Sequence, residues 1–203
     1  MANIETIEID TLNFAEAAAP ATPSAASVIV YAKADGLVYS KDDAGTETLM
    51  SSGSVAAAAF VGVRAVANAV TSLTTATWTS IALAGTDRFD TDAFHDPATN
   101  NSRLTVPAAK AGKYMIGGNA SFAGSATGER AARIYLNNTT VIAGELRTAV
   151  ADAALPTRIN IVTLYDLAVA DYVELQQWQD SGGSINSQND ANYTVEFWMY
   201  KVG

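Results

Sequence analysis

Short runs of alternating apolar and polar residues, separated by clusters of Gly, Asn and Asp, recur along most of the 203 residues of this chain. The alternation is clearest over residues 172–178 and 193–200, and turn clusters at 137–138 and 180–183 interrupt it. A period of two places successive side chains on opposite faces of a strand, whereas a helix needs a period of about 3.6. The pattern therefore predicts an all-β fold, an antiparallel sandwich of many short strands.

The strands of this sandwich are predicted from residue 60 onward. Their ranges are 60–67, 77–83, 103–106, 112–122, 130–137, 141–148, 158–165, 172–180 and 193–202. A helix over residues 55–70 is the alternative for the first strand, because this stretch is rich in Ala. The alternation of Val61 and Val63 around Gly62 favours the strand. Gly117 and Gly118 fall inside a predicted strand, where glycine indicates a bulge or a close approach of another chain segment.

The first 59 residues divide into three predicted segments. Residues 1–26 run into an Ala-rich stretch in which Pro20 and Pro23 favour extended chain, so they predict an arm. An ordered arm of this kind must lie against something, and we expect another subunit. Residues 27–50 predict a β-hairpin module, because Ala-Asp-Gly at 34–36 joins two strand-like runs. Residues 51–59 predict a small-residue linker to the domain at 60–203.

The composition excludes several classes of function. The chain has 12 basic residues against 21 acidic ones, and no basic run is present to bind a nucleic acid. Cysteine is absent, which excludes disulfides, zinc–thiolate sites and thiol catalysis. No apolar run approaches the length of about 18 residues that a membrane span requires, and the N-terminus does not resemble a signal peptide. We therefore expect that the protein does not insert into a membrane and that it is assembled in the cytoplasm.

The sequence contains no complete motif for a catalytic site. A Ser–His–Asp triad would need His95, the only histidine, and Ser102 lies nearby, but no Gly-X-Ser-X-Gly turn presents a serine. A glycosidase pair could be drawn from the aspartates near His95 together with Glu129, Glu145 or Glu174, yet nothing in the sequence brings two carboxylates to the required separation. We therefore expect no enzymatic activity and no cofactor.

Four aspartates around His95 are candidate calcium ligands, because Ca²⁺ binds six to eight oxygen atoms. Their spacing lacks the Gly and Glu positions of an EF-hand loop. The alternative is a polar loop whose carboxylates accept hydrogen bonds from turn amides. The four candidates are Asp87, Asp90, Asp92 and Asp96.

Three tryptophans, Trp78, Trp178 and Trp198, raise the question of sugar binding. Because Trp178 and Trp198 lie within alternating strands, we expect their rings in the core or at a subunit interface rather than on an exposed platform.

Residues 60–203 carry an ordered series of segments that resembles the C1q/TNF-like jelly-roll domain. Residues 111–116 are similar to the family's P-x-x-G-x-Y strand, and residues 170–175 to its G-D-x-V-x-L strand with Ala170 in place of the usual Gly. The full series is residues 60–64, 77–81, 89–96, 103–107, 111–116, 132–138, 170–175 and 195–200. The resemblance implies a jelly-roll knob and a homotrimer in which three knobs pack around an axis.

Residues 20–50 resemble a short β-module of tailed-phage fibre and other virion surface proteins, on the segments 20–24, 30–36 and 39–47. This resemblance implies a phage structural protein. A trimer has physical support as well, because a module of this size cannot bury its own core and three copies would cover one another. The residues expected at the trimer interface or in the core are Trp178, Phe197, Trp198 and Tyr200.

The resulting hypothesis is a non-enzymatic bacteriophage protein of the virion surface, a homotrimer that displays the knob. We expect residues 1–26 to bind a capsid or tail scaffold protein through Ile4, Ile7, Ile9, Leu12 and Phe14. The short chain favours a capsid decoration or head spike over a full tail fibre. The alternative is a tail-fibre adhesin that recognises host-surface glycans through loops at 87–101 and 181–192. A glycan hydrolase that uses His95 and the nearby aspartates is the third hypothesis.

Overall fold

The computed structural model describes residues 15, 17–50, 60–190 and 194–202, and the chain divides into two compact units, Met1–Ala59 and Phe60–Gly203. All regular structure in the described residues is β, which confirms the predicted fold class. No helix capable of crossing a membrane is found among them. The strands are β1 (Ile29–Ala32), β2 (Val38–Lys41), β3 (Glu47–Leu49), β4 (Gly62–Val66), β5 (Ser72–Leu73), β6 (Thr79–Ser80), β7 (Phe89–Asp90), β8 (Arg103–Thr105), β9 (Gly112–Phe122), β10 (Glu129–Leu136), β11 (Thr140–Thr148), β12 (Thr157–Leu167), β13 (Tyr172–Gln179), β14 (Ile185–Asn186) and β15 (Glu196–Lys201).

The N-terminal unit contains a three-stranded antiparallel sheet in the order β1-β2-β3. The turn between β1 and β2 has Gly36 at a φ of 77°, a conformation that glycine adopts without steric cost, which explains the Ala-Asp-Gly signal. Tyr31 and Ala32 are the buried hydrophobic residues of this sheet. Its core is therefore very small, as expected for a module of this length.

The described part of the arm bonds to the module of its own chain. The Ala17 amide donates to the carbonyl oxygen of Ala32 at the edge strand β1, over 3.0 Å. Lys41 Nζ donates to the Pro20 carbonyl at 2.9 Å. These contacts are formed within one chain, because an edge strand offers unpaired backbone groups to neighbouring segments. Contact of the arm with another subunit stays a prediction. The proposed anchoring residues Ile4, Ile7, Ile9, Leu12 and Phe14 and the linker 51–59 lie outside the described residues.

The C-terminal unit is a sandwich of two five-stranded antiparallel sheets. One has the order β11-β10-β13-β6, with β8 also paired to β13, and the other has the order β12-β9-β15-β4-β7. The longest pairing joins β9 to β12 without interruption from Gly112 opposite Leu167 to Phe122 opposite Thr157. Strands β5 and β14 form a separate two-stranded sheet.

The hydrophobic core lies between the two large sheets, because alternate residues of each long strand point inward. Its members from the central strands include Tyr114, Ile116, Phe122, Ile134, Leu175, Phe197 and Met199. Gly118 lies at a close approach of the two sheets, since a Cβ there would stand 3.0 Å from Leu175 Cδ2 and 3.1 Å from Phe197 Cδ2. The close approach predicted at the glycine pair is confirmed.

Most predicted strands occur with ends that shift by a few residues, and residues 112–122 form a strand over the whole predicted range. Gly62–Val66 is a strand, so the alternative of a helix over residues 55–70 is wrong there. The first residues of that alternative helix, 55–59, lie outside the described ranges. Strands β5, β7 and β14 are not among the predicted strands, because a strand of two residues has no periodicity to detect.

Candidate functional surfaces

The loop around His95 is a hydrogen-bonded structure that occupies both nitrogens of the imidazole. The side chain is buried; Nδ1 lies 2.9 Å from Asp87 Oδ1 and Nε2 lies 3.2 Å from the Asn101 carbonyl oxygen. Ser102, the serine of the triad hypothesis, instead donates its hydroxyl to Glu174 at 2.6 Å. Neither nitrogen of His95 is therefore open to take a proton from a nucleophile, as a general base must.

The aspartates of this loop bind separate partners. Asp90 accepts hydrogen bonds from the amides of Asp92, Phe94 and His95 at 3.2, 3.0 and 2.9 Å. Asp96 accepts from the amides of residues 98 and 99, and these bonds lower the pKa of its carboxyl group. These hydrogen bonds to turn amides are the ones expected for a polar loop, which was the alternative to a calcium site.

Asp92 pairs with Lys110 at 2.7 Å, and the hydrogen bond from this lysine lowers the pKa of the Asp92 carboxyl group. Within the described ranges no three His, Cys, Asp or Glu side chains are grouped so that they could hold a metal ion. The structure therefore does not bring Asp87, Asp90, Asp92 and Asp96 together around one point.

A cleft of about 670 Å³ lies beside this loop and is lined by Phe94, Pro97, Arg103 and Tyr172 among others. The guanidinium of Arg103 stacks over the Tyr172 ring, with Cζ 4.0 Å from the ring centroid. Its Nε also lies 3.5 Å from Glu174 Oε1, so the charge of Arg103 is compensated within the chain.

The outer surface of the β12-β9-β15-β4-β7 sheet carries a series of aromatic side chains. Along β15, Phe197 and Met199 point into the core, while Trp198 and Tyr200 alternate to the outside. The rings of Trp198 and Tyr200 are stacked, with centroids 4.6 Å apart and an interplanar angle of 6°. Phe60 extends the series, with its ring 5.8 Å from Tyr200 and 5.3 Å from Phe89.

Aliphatic side chains continue this surface onto β12. Val162 and Leu164 are 60% and 63% exposed, which is unusual for two large apolar residues on one strand face. Val162 is in register with Gly117, and Gly117 with Trp198, so these positions form one row across the sheet. We call the surface the Trp198 face; its members are Phe60, Phe89, Val162, Leu164, Trp198 and Tyr200.

Charged groups border the Trp198 face. Glu196 forms ion pairs with Arg64 and, at 3.4 Å, with Arg88. A hollow of about 330 Å³ lies beside this pair and is lined in part by Asn119, Asn160 and Trp198. The arrangement is an apolar patch with a polar rim, which is the anatomy of a protein–protein interface.

The four residues predicted for the interface or core occupy three different places. Phe197 is in the core, and Trp198 and Tyr200 lie on the Trp198 face. Trp178 is half-buried on β13, which belongs to the other large sheet, and its ring lies 6.4 Å from that of Trp78. Alternation correctly separates inner from outer positions, but it does not show which sheet a strand joins.

The segment that resembles G-D-x-V-x-L begins at a tight turn over residues 168–171. The Asp171 carboxylate accepts hydrogen bonds from Asn137 Nδ2 at 2.7 Å and from the Ala168 amide at 2.8 Å. Ala170 has a φ of 68°, the left-handed region that favours glycine. The position is thus one where glycine is expected, and the role of the motif here is structural.

Comparison with known proteins relates this architecture to solved structures only, since no protein-family model and no curated protein sequence matches the chain. It is similar to the globular domain of zebrafish complement 1qA protein, with a TM-score of 0.51, 10% identity, and coverage of 70% of this chain and 98% of that one. It is also similar to murine APRIL at pH 5.0, with a TM-score of 0.55, 9% identity, and coverage of 71% and 100%. The predicted C1q/TNF-like jelly-roll fold is confirmed.

Proposed function

We propose that this chain is a non-enzymatic surface protein of a bacteriophage virion, a homotrimer whose knobs associate through the Trp198 face. The observation that supports self-association is that face: a half-buried, stacked Trp–Tyr pair is continued on a single protomer by the exposed side chains of Phe60 and Leu164. Contiguous apolar surface of this kind is unfavourable in water, and its burial against identical copies removes that cost.

Three copies are proposed because of the fold. The resemblance to C1q/TNF-like domains, which associate as trimers, supports a three-fold arrangement over a two-fold one. The compensated Arg64–Glu196 pair at the border also suits an interface, because it brings no unpaired charge with it. A trimer would present three knobs on one particle site, and multivalent display strengthens weak surface contacts.

The absence of catalysis in this proposal is supported by the loop of His95, in which the imidazole and the carboxylate of Asp90 are both engaged in holding the loop. Virion attachment through residues 1–26 is supported by the resemblance of residues 20–50 to phage surface modules. A capsid decoration or head spike is the favoured location.

The test of self-association is the mass of the intact chain at micromolar concentration, by light scattering and sedimentation. We expect three times the 21.2 kDa of one chain. Leu164→Asp should dissociate the trimer, because a charge buried without a partner costs about 3 kcal/mol or more per interface. The matched control is Leu155→Asp, since Leu155 is 52% exposed but lies in the loop between β11 and β12. A monomeric or dimeric wild-type chain would refute the trimer.

The test of location is immunogold labelling of purified phage particles. Labelling of capsid faces or vertices would support decoration, and labelling of tail tips would support the adhesin. Protein found in the lysate but never on particles would refute a virion role.

A second candidate function is the tail-fibre adhesin for host-surface glycans. It is favoured by one observation that the trimer does not use, the aromatic cluster around Trp78 and Trp178 on the opposite sheet.

A further inference from the structure

The outer surface of the β11-β10-β13-β6 sheet carries a second aromatic cluster, which we call the Trp178 face and define by Trp78, Arg133, Tyr135, Gln176 and Trp178. The indole rings of Trp78 and Trp178 have centroids 6.4 Å apart and are tilted by 37°. All five residues lie on one sheet or directly beside it, because Trp78 precedes β6 and the others belong to β10 and β13. The cluster therefore belongs to a single protomer.

Arg133 is held rigidly at the centre of this face. Its Cζ lies 4.2 Å from the ring centroid of Trp78 and 4.2 Å from that of Tyr135. Its Nε donates to Gln176 Oε1 at 2.7 Å, and Gln176 Nε2 in turn donates to Ser80 Oγ at 2.9 Å. Gln176 is only 6% exposed, so it acts as a positioning residue for the guanidinium. Such preorganisation lowers the entropy lost when a ligand binds.

The charge of Arg133 lacks the partner that other arginines of the knob have. Arg64, Arg103 and Arg147 each pair with a glutamate. Among the residues that the structure describes, no carboxylate lies within 4.0 Å of the Arg133 guanidinium. Burial also lowers the pKa of Arg133, which reflects partial loss of water around its charge. An uncompensated cation in a chain of net charge −9 is complementary to an anionic group from outside.

A hollow of about 330 Å³ opens next to Arg133, in the size range of small-molecule sites, and Gly144 and Glu145 line it together with Trp78. Gly144 keeps it open: a Cβ there would find its nearest atom, the Ala132 carbonyl oxygen, at 3.8 Å. Glu145, the one acid of the hollow among the described residues, is paired with Arg147 at 2.5 Å. Its carboxylate remains able to accept a hydrogen bond from a hydroxyl group.

We propose that the Trp178 face binds a saccharide that carries a carboxylate group. The carboxylate would be bound by Arg133, whose planar guanidinium suits this anion, and the apolar C–H face of the sugar ring would pack on the indoles. The sugar hydroxyls would meet the polar rim of the hollow. An acidic peptide added as a strand fits less well, because it would pair with the edge strand β11, whereas Arg133 and Trp178 lie on the interior strands β10 and β13.

The saccharide site adds a location and a ligand class to the adhesin candidate. That the sugar comes from a host surface rests on that proposed function. The site does not depend on the trimer, because the Trp178 and Trp198 faces are on opposite sheets. It also moves the predicted glycan contact from the loops at 87–101 and 181–192 to a sheet surface.

The experiment is affinity electrophoresis of the intact chain in gels that contain polygalacturonate, alginate, hyaluronan or polysialic acid, with dextran as the neutral polymer. We expect retardation by at least one acidic polymer and none by dextran. Arg133→Met should weaken the binding about tenfold or more, because it removes a charge-assisted hydrogen bond but keeps the apolar stem. Gly144→Leu should block the hollow sterically. Arg88→Met is the matched control, since Arg88 lies by the other sheet.

Melting curves decide whether each variant is folded, and Gly144→Leu tests the site independently should Arg133→Met fail to fold. The Leu164→Asp variant separates the two proposals. A dissociated knob with unchanged affinity per protomer for tetragalacturonate, measured by calorimetry, would support both, whereas a variant that stays trimeric and still binds would refute the trimer face alone. No retardation by any acidic polymer, equal retardation by dextran, or full binding by Arg133→Met would overturn the saccharide site.

Discussion

The indole ring of Trp198 occupies the space that a side chain on Gly117 would fill. The two residues are direct neighbours across β15 and β9, and a Cβ on residue 117 would stand 2.6 Å from Cη2 of Trp198. On the other side it would stand 2.9 Å from the carbonyl oxygen of Ile161 in β12. The glycine therefore allows the indole to lie close to the sheet and to stack with Tyr200, so the Trp198 face depends on a residue without a side chain.

Gly117→Ala should displace the Trp198 indole and weaken self-association. Because the added Cβ would also press against the backbone of β12, which cannot move freely, we expect a loss of about 1–3 kcal/mol in the free energy of unfolding. Tryptophan fluorescence, light scattering and urea unfolding measure the three effects. The matched control is Gly144→Ala on the opposite sheet, where the added Cβ meets no atom closer than 3.8 Å and stability should be retained. Equal behaviour of the two variants would contradict the role of Gly117.

How far the sequence determines this structure can be seen at the same strands. The pattern of residues 112–122 gives both the limits of β9 and the close approach at Gly118, because alternation and paired glycines are local signals. The separation of Trp178 from Trp198 could not be predicted, because it depends on which sheet β13 and β15 join, and that is decided by long-range pairing. The same limit hid the Arg133 cluster: Tyr135 lies on the same strand as Arg133, but Trp78 and Gln176 come from distant segments.

Ala170→Gly should stabilise the knob. Ala170 has a φ of 68°, and an L-residue in the left-handed region is strained by about 1–2 kcal/mol, from which the added chain entropy of glycine subtracts about 0.5–1 kcal/mol. We expect a net gain of about 0.5–1 kcal/mol, visible as a higher thermal midpoint. Ala168→Gly is the matched control: Ala168 belongs to the same turn but is not in the left-handed region, so this change should lower the midpoint.

Calcium should leave the stability of the knob unchanged. Both oxygens of Asp90 already accept backbone amides, and the remaining candidate aspartates turn to other partners. We therefore expect the same thermal midpoint in millimolar calcium and after dialysis against EDTA. A rise in the midpoint with calcium, absent with magnesium, would show that the aspartates rearrange around the ion.

Asp90→Ala should destabilise the knob by about 2 kcal/mol, because it leaves the amides of Phe94 and His95 without an acceptor. Asp90→Asn keeps one amide oxygen and should lose less. Chemical denaturation measures both variants, and Asp166→Asn is the control, since the Asp166–Lys113 pair is largely exposed. Unchanged stability of Asp90→Ala would mean that water satisfies these amides.

The N-terminal module should lose stability in acid through Glu47. This carboxylate accepts hydrogen bonds from Lys33 and from the Tyr31 hydroxyl, and these bonds, the one from Lys33 first, lower the pKa of Glu47. Because the ionised form holds the contacts, their stabilising effect is present above the ordinary pKa of 4.5 and is lost as the pH falls through the lowered value.

Amide hydrogen exchange of β1 and β2 in the full chain measures this loss, as faster exchange below that pH after correction for the intrinsic rate. Glu47→Gln should remove the acid dependence and weaken protection at neutral pH, whereas Glu145→Gln on the knob should leave both unchanged in these strands. Acid-dependent protection that survives in Glu47→Gln would assign the effect to another group, such as Asp35, which accepts the hydroxyl of Tyr39 at 2.9 Å.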